Sequence, residues 1–440
     1  MEPALLARYD RAVPRYTSYP TAPHFHGGVE AAHYARWLSE LPEGAPLSLY
    51  LHIPFCDSLC WFCGCNTRVV REHKPIAAYL DLLARELDLV AARLPGRFAV
   101  SHLHLGGGSP SLLRPAEIDS LMAAIWRRFD RAPGAEVSVE IDPRDLEPAV
   151  VEAFAAAGIT RASLGVQDFA PRVQKAINRL QSFECTAAAV ESLRAAGIAA
   201  VNLDLLYGLP HQDLASLSET VRLALELAPD RLALFGYAHV PWMKKHQRLI
   251  PEAALPDGPA RWAQAEAAAA QLVAAGYRRI GLDHFARPED SLALAQAAGR
   301  LRRNFQGYTT DEAPVLLGLG ASSIGSLPQG YLQNAPDLPT YRKAVLADRL
   351  PVVRGIALSD DDRARRAVIE RLMCDFAVTL DREAYAAELA ALRGHAADGL
   401  VELDGGRLRV TECGRPLVRS VAAVFDRYLA PGEGRHSRAV

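Results

Sequence analysis

Short apolar runs alternate with amphipathic stretches from residue 47 to about residue 240, a pattern that predicts repeated strand–helix units. The helical stretches, such as 76–93 and 184–196, carry apolar residues at the spacing of one helix face. Alternation of this kind indicates a parallel sheet with right-handed crossovers, as a partial (β/α) barrel or an open doubly wound sheet. The predicted strands are 47–55, 99–105, 136–141, 161–166, 201–209 and 231–238.

The C-terminal part of the chain has a different character and predicts a second, smaller domain. Runs at 278–286 and 316–325 are expected to complete the wall of the first domain. From about residue 357 the sequence is rich in Arg, Glu and Ala, and 399–414 predicts a hairpin turning at 404–406. This order predicts a mainly helical, winged-helix-like domain, and the lack of a basic stripe favours a covering role over DNA binding. The predicted limits are an N-terminal arm at 1–45, a catalytic domain at 46–345 and a C-terminal domain at 346–440.

Composition narrows the classes of function. The 440 residues include 49 basic and 51 acidic ones, so no charge excess favours nucleic acid or an acidic membrane as a partner. The first residues lack the apolar segment of a secretory signal, and no apolar run is long enough to span a bilayer. We therefore expect a cytoplasmic protein whose thiols are reduced, which argues against a disulfide knot.

Polar and glycine-rich residues follow the predicted strands at their carboxyl ends. In parallel α/β folds this edge is where ligands bind and chemistry happens. Each ending alone has a structural explanation, such as a turn at Asp142-Pro143. Their recurrence after every strand predicts a functional site. The endings are 55–68, 106–110, 140–144, 167–168, 204 and 238–239.

The first of these endings, "FCDSLCWFCGCNTR" at 55–68, holds four of the seven cysteines, spaced C-x3-C-x2-C-x-C. Structural zinc sites usually combine a close pair with distant ligands, and ferredoxin-type loops use other spacings and a Cys-Pro ending. Three thiolates at the first two spacings can wrap a [4Fe–4S] cubane and leave one iron open. S-adenosylmethionine (SAM) needs such an open iron for chelation. A cluster is therefore the favoured interpretation, and a zinc site is the alternative.

The motifs resemble those of a known family. CxxxCxxC after the first strand, with a glycine-rich turn after the second, resembles the radical SAM enzymes. Stretches from residue 15 to about 335 resemble, more narrowly, the oxygen-independent coproporphyrinogen III oxidases. Departures from the family pattern are small. Trp61 occupies a position where the family often has Tyr, Ser109 one where Thr is common, and Arg302 precedes Arg303-Asn304. The stretches are "RYTSYPTA", "LYLHIPFC", "CWFCGCNT", "LHLGGGSPS", "SVEIDPR", "LGVQDF", "DLLYGLP", "YAHVP" and "RRNFQGYTT".

The resemblance implies a partial (β/α)6 TIM-like barrel of the radical SAM type and an anaerobic reaction. A 5′-deoxyadenosyl radical would abstract a hydrogen from the β-carbon of a propionate, and loss of carbon dioxide and one electron would leave a vinyl group. Two such events convert coproporphyrinogen III to protoporphyrinogen IX in haem and porphyrin biosynthesis. The implied cofactors are a [4Fe–4S] cluster and SAM, with two SAM molecules bound. The expected partners are coproporphyrinogen III and an electron donor such as flavodoxin or ferredoxin, with no nucleic acid, no membrane and a monomeric state.

The resemblance also implies roles for individual residues. Cluster ligands are implied at Cys56, Cys60 and Cys63, and catalytic candidates at Cys65, His52 and Gln306. Contacts to a first SAM are implied for Tyr50, Phe62, Gly106, Gly107, Gly108, Glu140 and Ile324. Contacts to a second SAM are implied for Gln167, Arg179, Asp204 and Ala238. Hosts for the substrate propionates are implied at Arg15, Tyr16, Ser18, Arg303 and Gln306.

Several of these residues also fit purely structural roles. Phe62 and Ile324 could be ordinary core residues, and Arg179 a solvated helix residue. His52 fits a hydrogen-bonded core histidine as well as a functional one. Glu140 is harder to explain in this way, because a carboxylate that ends an apolar strand needs a partner.

Three other functional classes are open at this point. A related haem chaperone would bind haem and leave coproporphyrinogen unchanged, but it lacks the fourth cysteine and the "RYTSYPTA" arm. A radical methyltransferase of the same subfamily would transfer a methyl group and release no carbon dioxide. A zinc-stabilised structural module would contain neither iron nor sulfide.

Overall fold

The computed structural model describes residues 5, 8, 9 and 11–429. The strands are β1 Leu47–Ile53, β2 Phe55–Cys56, β3 Arg68–Val69, β4 Ala99–Gly107, β5 Asp130–Ile141, β6 Arg161–Gln167, β7 Ala200–Tyr207, β8 Arg231–Gly236, β9 Arg278–Ile280, β10 His284–Ala286, β11 Arg302–Asn304, β12 Gly307–Thr309, β13 Val315–Leu319, β14 Ile324–Leu327, β15 Gly330–Asn334, β16 Val352–Ala357, β17 Ala377–Thr379, β18 Val401–Asp404 and β19 Arg407–Val410. The α-helices are α1 Ala31–Ser39, α2 Lys74–Ala91, α3 Pro115–Arg128, α4 Pro148–Ala156, α5 Pro171–Ala176, α6 Phe183–Ala195, α7 Leu214–Glu226, α8 Gly258–Ala274, α9 Ser291–Ala297, α10 Leu338–Leu346, α11 Asp360–Asp375, α12 Ala386–Ala391, α13 Arg393–Ala397 and α14 Val418–Ala422.

The predicted partial barrel is confirmed. Strands β1, β4, β5, β6, β7 and β8 lie side by side in this order, and each pairs parallel with its neighbour. The structure adds β13, which pairs parallel with β1 on the other side. The sheet continues through antiparallel strands at both edges, β14, β15 and β16 beyond β13, and β10 and β9 beyond β8. The order does not return to its start, so the barrel stays open.

Inward and outward residues alternate along the barrel strands. In β6, Ala162, Leu164 and Val166 are buried in the main core, whereas the residues between them are half-buried. The same alternation runs through the ends of β4, β5 and β7, because successive side chains of a strand point to opposite faces. Amphipathic helices such as α2 cover the apolar face. The polar positions face the interior.

The C-terminal hairpin is also confirmed. Strands β18 and β19 pair antiparallel through a turn at Gly405 and Gly406, both with positive φ, and β17 adds a third strand. Helix α11 packs on this sheet together with aromatic side chains of the N-terminal arm, Tyr16 and Tyr19. The arm is tied to the other end of the chain, since Arg419 donates to the Pro14 carbonyl at 3.0 Å.

One strand differs from its expected range. Strand β5 begins at residue 130 and not at 136, with an irregular pairing to β4 over its first residues. Strand β16 pairs with β15, so the main sheet continues to residue 357. The segment "VVRGIA" is mostly apolar but its burial does not alternate regularly, so the sequence alone did not indicate this pairing with β15. Among the residues described, no helix is both long and apolar enough to cross a membrane.

Candidate active site

A cavity of about 870 Å³, counting the part open to solvent, lies at the carboxyl ends of the parallel strands. All four cysteines of the 55–68 loop face it, together with residues from the ends of β4, β5, β6 and β7. Five of the six expected strand endings therefore meet at this cavity, whereas residues 238–239 do not line it. The expected site residues that line the cavity are Cys56, Phe62, Cys60, Cys63, Cys65, Gly107, Gly108, Glu140, Gln167, Arg179 and Asp204.

The cysteine loop is held by backbone and side-chain contacts on both sides. Cys56 lies on β2, which pairs with β3 after the loop returns. The amide of Trp61 donates to the Ile177 carbonyl at 2.9 Å, and the side chain of Asn178 donates to the Leu59 carbonyl at 2.8 Å. A loop without regular structure is thus fixed against the end of helix α5.

The thiols of this loop lie in unequal electrostatic surroundings. A hydrogen bond from the Cys65 thiol, aided by the charges of Lys244 and His246, lowers the pKa of Cys63 to about 6. Burial raises the pKa of Cys56 to about 12. Cationic groups approach Cys60, whose Sγ lies 3.5 Å from a guanidinium nitrogen of Arg179. Metal binding requires thiolates, so the lowered pKa of Cys63 favours the ligand form of that residue.

Glu140 is the centre of the contacts made by the glycine-rich turn. Its carboxylate accepts hydrogen bonds from the Gly107 amide at 2.8 Å and from His104 Nε2 at 3.0 Å. Burial acts to raise the pKa of Glu140, but these bonds outweigh it and hold the pKa below its usual value. A methyl group on Gly106 would lie 2.8 Å from the Glu140 carboxyl carbon. Glycine at 106 therefore leaves the space that the carboxylate occupies.

Gly106→Ala is expected to weaken SAM binding by about tenfold, the size expected when one hydrogen bond to a charged group is lost. The added methyl group meets the far end of the Glu140 side chain, so the carboxylate shifts and the fold stays intact. Equilibrium dialysis of the anaerobic holoprotein measures the affinity. Gly96→Ala is the control, because a Cβ there has no neighbour within 4 Å. Wild-type affinity in Gly106→Ala would count against this role of Glu140.

The residues matched to a second SAM lie around the same cavity. Gln167 ends β6 with φ of 69°, a left-handed conformation that is uncommon outside glycine and often marks functional sites. Arg179 donates to Asp142 at 2.9 Å and to the Gly165 carbonyl at 2.6 Å, but its Nε has no acceptor within the described part of the chain. The Asp204 carboxyl is buried, which raises its pKa to about 6.

Other predicted residues lie behind the cavity wall. His52 is 5% exposed, and its Nδ1 and Nε2 lie 2.9 Å from the Tyr50 hydroxyl and the Asn66 carbonyl. Both ring nitrogens are thus occupied, as in a hydrogen-bonded core histidine that supports the cysteine loop. Ile324 packs with Phe25 and other residues of a separate apolar cluster. Tyr50, Gly106, Ala238 and Ile324 do not line the cavity.

The expected propionate hosts lie at a neighbouring cavity or on the arm. Gln306 lines a second cavity of about 1010 Å³ that shares Glu140 and Asp204 with the first. Tyr16 and Ser18 use their hydroxyl groups internally, on Asp426 and on the Pro20 carbonyl. Arg15 donates to the Gly236 carbonyl at 2.9 Å. Arg303 donates to the Arg15 carbonyl, and its Nε and Nη1 have no partner among the residues described.

Several polar residues of the site escaped the sequence analysis. His104, Ser138, Ser163 and Asn202 line the second cavity at positions that alternate with apolar residues along their strands. That alternation was present in the sequence and could have identified them as inward-facing. Asp142, which belongs to the expected strand ending at 140–144, pairs with both Arg144 and Arg179, and the sequence indicates neither pair.

The donor set fits the implied cofactors. Four thiols face a single cavity, and three of them have the implied spacing. Three protein ligands suit a cluster with one open iron. The same cavity is lined by Arg179 and by the carboxyl groups of Glu140 and Asp204, which suit the carboxylate and the cationic groups of SAM.

Comparisons with known proteins agree along the whole chain. Residues 50–224 match the radical SAM superfamily, and residues 358–417 match the HemN C-terminal domain. The oxygen-independent coproporphyrinogen III oxidase of Bradyrhizobium diazoefficiens is 55% identical over 98% of each chain. That of Paracoccus denitrificans is 49% identical over 99% of this chain and 98% of the relative. The solved structure of the radical SAM enzyme coproporphyrinogen III oxidase (HemN) from Escherichia coli superposes with a TM-score of 0.92 at 40% identity, covering 97% of this chain and 99% of that one. The chain belongs to the oxygen-independent coproporphyrinogen III oxidase family of radical SAM enzymes.

Proposed function

We propose that this chain converts two propionate side chains of coproporphyrinogen III to vinyl groups without oxygen, giving protoporphyrinogen IX for haem and porphyrin biosynthesis. The observation that carries the proposal is the convergence of the cysteine loop, Glu140 and Asp204 on one cavity, in a chain that belongs to this family. Each conversion removes one hydrogen atom, one molecule of carbon dioxide and one electron from a propionate.

Cys56, Cys60 and Cys63 would hold the [4Fe–4S] cluster. When bound, the reduced cluster and SAM together supply a 5′-deoxyadenosyl radical. Guanidinium nitrogens of Arg144 and Arg179 lie 3.8 and 3.5 Å from the Cys60 sulfur and would help to position it. His52 joins Tyr50 to the Asn66 carbonyl and so positions the end of the loop. Cys65 is exposed and lines the first cavity, so its thiol would be able to reach a substrate bound there.

Glu140 would orient the first SAM, with His104 and the Gly107 amide fixing the carboxylate. Gln167, Arg179 and Asp204 would contact a second SAM, together with the backbone near Ala238. The second cavity, with Gln306 at its lining, would accept part of the tetrapyrrole. Arg15 and Arg303 would then meet propionate groups, because two nitrogens of Arg303 make no hydrogen bond within the described chain.

We further propose that the protein acts as a cytoplasmic monomer with a one-electron donor of the flavodoxin or ferredoxin type. The near-neutral net charge of −2 supports the absence of a nucleic acid or membrane partner. The predicted domain limits become, in this proposal, a catalytic part to residue 357 and a C-terminal part from 358, where the matched domain begins.

The test is anaerobic turnover of the reduced protein with SAM and coproporphyrinogen III. We expect protoporphyrinogen IX, two molecules of carbon dioxide and two molecules of 5′-deoxyadenosine for each product molecule. Accumulation of 5′-deoxyadenosine without any decarboxylated product would refute the proposed substrate. Separate incubation with haem checks whether the protein behaves as a haem-binding chaperone.

A further inference from the structure

One short segment after β8 bonds to three backbone carbonyls of the cysteine loop. Lys244 Nζ donates to the Cys65 carbonyl at 2.8 Å, and Gln247 Nε2 donates to the Phe62 carbonyl at 2.9 Å. His246 Nε2 lies 2.8 Å from the Cys63 carbonyl, which can only accept. The segment and the loop are about 180 residues apart in sequence. We call residues 244–247 the clamp.

Gln247 fixes the clamp to the barrel. Its side chain is 1% exposed, and its Nε2 also donates to the Ala238 carbonyl at 3.2 Å. Its Oε1 accepts from the Val240 amide at 2.6 Å. The amide group is fully bonded, so the clamp, the end of β8 and the cysteine loop are linked through one buried side chain.

Lys244 brings positive charge to the cysteine loop, and His246 brings a ring N–H donor. Each bonds to the carbonyl of a residue at the end of the cysteine loop, and Cys63 is itself an implied cluster ligand. The reduction potential of a protein-bound cluster depends on nearby charge, hydrogen bonds and solvent exposure. Reduction adds one negative charge to the cluster. A cation held beside the loop therefore stabilises the reduced form more than the oxidised form.

We propose that Lys244 and His246 are positioning residues of the cysteine loop, and that the charge of Lys244 raises the reduction potential of the cluster bound there. The proposal rests on the proposed function for the presence of that cluster. It assigns the clamp a role in the electron entry step and none in substrate recognition. It also explains why two basic side chains point towards the cysteine loop.

The first test is a redox titration of the anaerobic holoprotein, followed by the spectrum of the reduced cluster. Lys244→Met removes the charge at similar length, and we expect the reduced fraction at a fixed applied potential to fall several-fold. Lys244→Arg keeps the charge and should titrate like the wild type. Lys245→Met is the matched control, because Lys245 is exposed and makes no hydrogen bond among the described residues.

The second test is the rate at which an iron chelator removes the cluster under anaerobic conditions. We expect His246→Leu to lose iron several-fold faster, because a loop carbonyl loses its donor, and His246→Gln to recover most of the resistance. The proposed role of Lys244 in reduction would be overturned if Lys244→Met kept the wild-type reduction potential. It would also be overturned if Lys245→Met shifted the potential by the same amount. A wild-type rate in His246→Leu would overturn the positioning role.

Neither test uses coproporphyrinogen III, so failure of the clamp and failure of the proposed function are distinguishable. If the wild type carries a cluster but forms no protoporphyrinogen, the proposed function fails and the clamp remains testable. If the wild type turns over with dithionite and the clamp variants show no change in potential or iron loss, only the clamp is refuted. Should Lys244→Met fail to fold, Lys244→Gln gives the same loss of charge with a polar side chain.

Discussion

Replacing Cys56, Cys60 or Cys63 with alanine is expected to abolish assembly of the cluster, whereas Cys65→Ala is expected to retain the cluster and lose turnover. All four thiols face one cavity, but a fourth protein ligand would leave no iron for SAM. The Cys65 amide also lies 3.4 Å from the Cys63 sulfur, which places Cys65 beside a ligand. Iron and sulfide counts after anaerobic reconstitution separate the two outcomes, and product formation measures the second effect.

Cys185→Ala is the control for this set. Cys185 is a half-buried free thiol outside the loop whose Sγ donates to the Pro143 carbonyl at 3.3 Å. Its removal should leave both the iron count and turnover close to wild type. Loss of the cluster in Cys65→Ala, with full iron in any of the other three loop variants, would reverse the assignment of ligand and non-ligand.

The wild-type holoprotein is expected to bind two equivalents of SAM, and Asp204→Asn is expected to bind one. Glu140 already accounts for one molecule beside the glycine turn, whereas Asp204 lies two strands away on the same cavity. Asparagine keeps the shape and the contacts to Ser163 and Asn202 but removes the negative charge. Loss of a charged partner typically costs about 1.5–3 kcal/mol, which empties a weak second site at ordinary ligand concentrations. Equilibrium dialysis under anaerobic conditions gives the stoichiometry.

Asp168→Asn provides a matched control. Asp168 is also a buried carboxyl group whose pKa is raised to about 6 by burial, and it follows the end of β6. Its carboxylate accepts from Gln212 at 2.6 Å, and it does not line the cavity. The Asp168→Asn variant should therefore still bind two equivalents of SAM. A wild-type protein that saturates at one equivalent, with coproporphyrinogen III present or absent, would exclude a second site.

Much of the catalytic frame could be predicted from sequence because its signals are local. The six barrel strands carry dense apolar residues between helical stretches, and each polar ending follows its strand directly. The placement of Glu140 beside Gly107 then follows from parallel pairing of β4 with β5. This is because neighbouring parallel strands have their carboxyl ends at the same edge of the sheet.

The remaining contacts could not be predicted because their partners are distant in sequence. The clamp contains two lysines and a histidine at the start of a short 3₁₀ helix, and nothing local links them to the cysteines. Strand β16 has a mixed burial pattern, and only pairing with β15 makes it part of the main sheet. The hydroxyl group of Tyr16, a predicted host for substrate propionates, donates to Asp426 at a separation of 410 residues. Contacts between residues so far apart in sequence leave no periodic signal in a single sequence.

The bond between the two ends of the chain has a consequence for biosynthesis on the ribosome. The arm emerges first, but its partners around Arg419 and Asp426 are made about 400 residues later. At a synthesis rate of about 5–20 residues per second, this delay is on the order of a minute. During that time the cysteine loop and the parallel strands can fold while the arm has no docking surface at the C-terminal domain. The arm therefore completes its contacts only after the C-terminal domain has been made, although Gly236, the partner of Arg15, is made about 180 residues earlier.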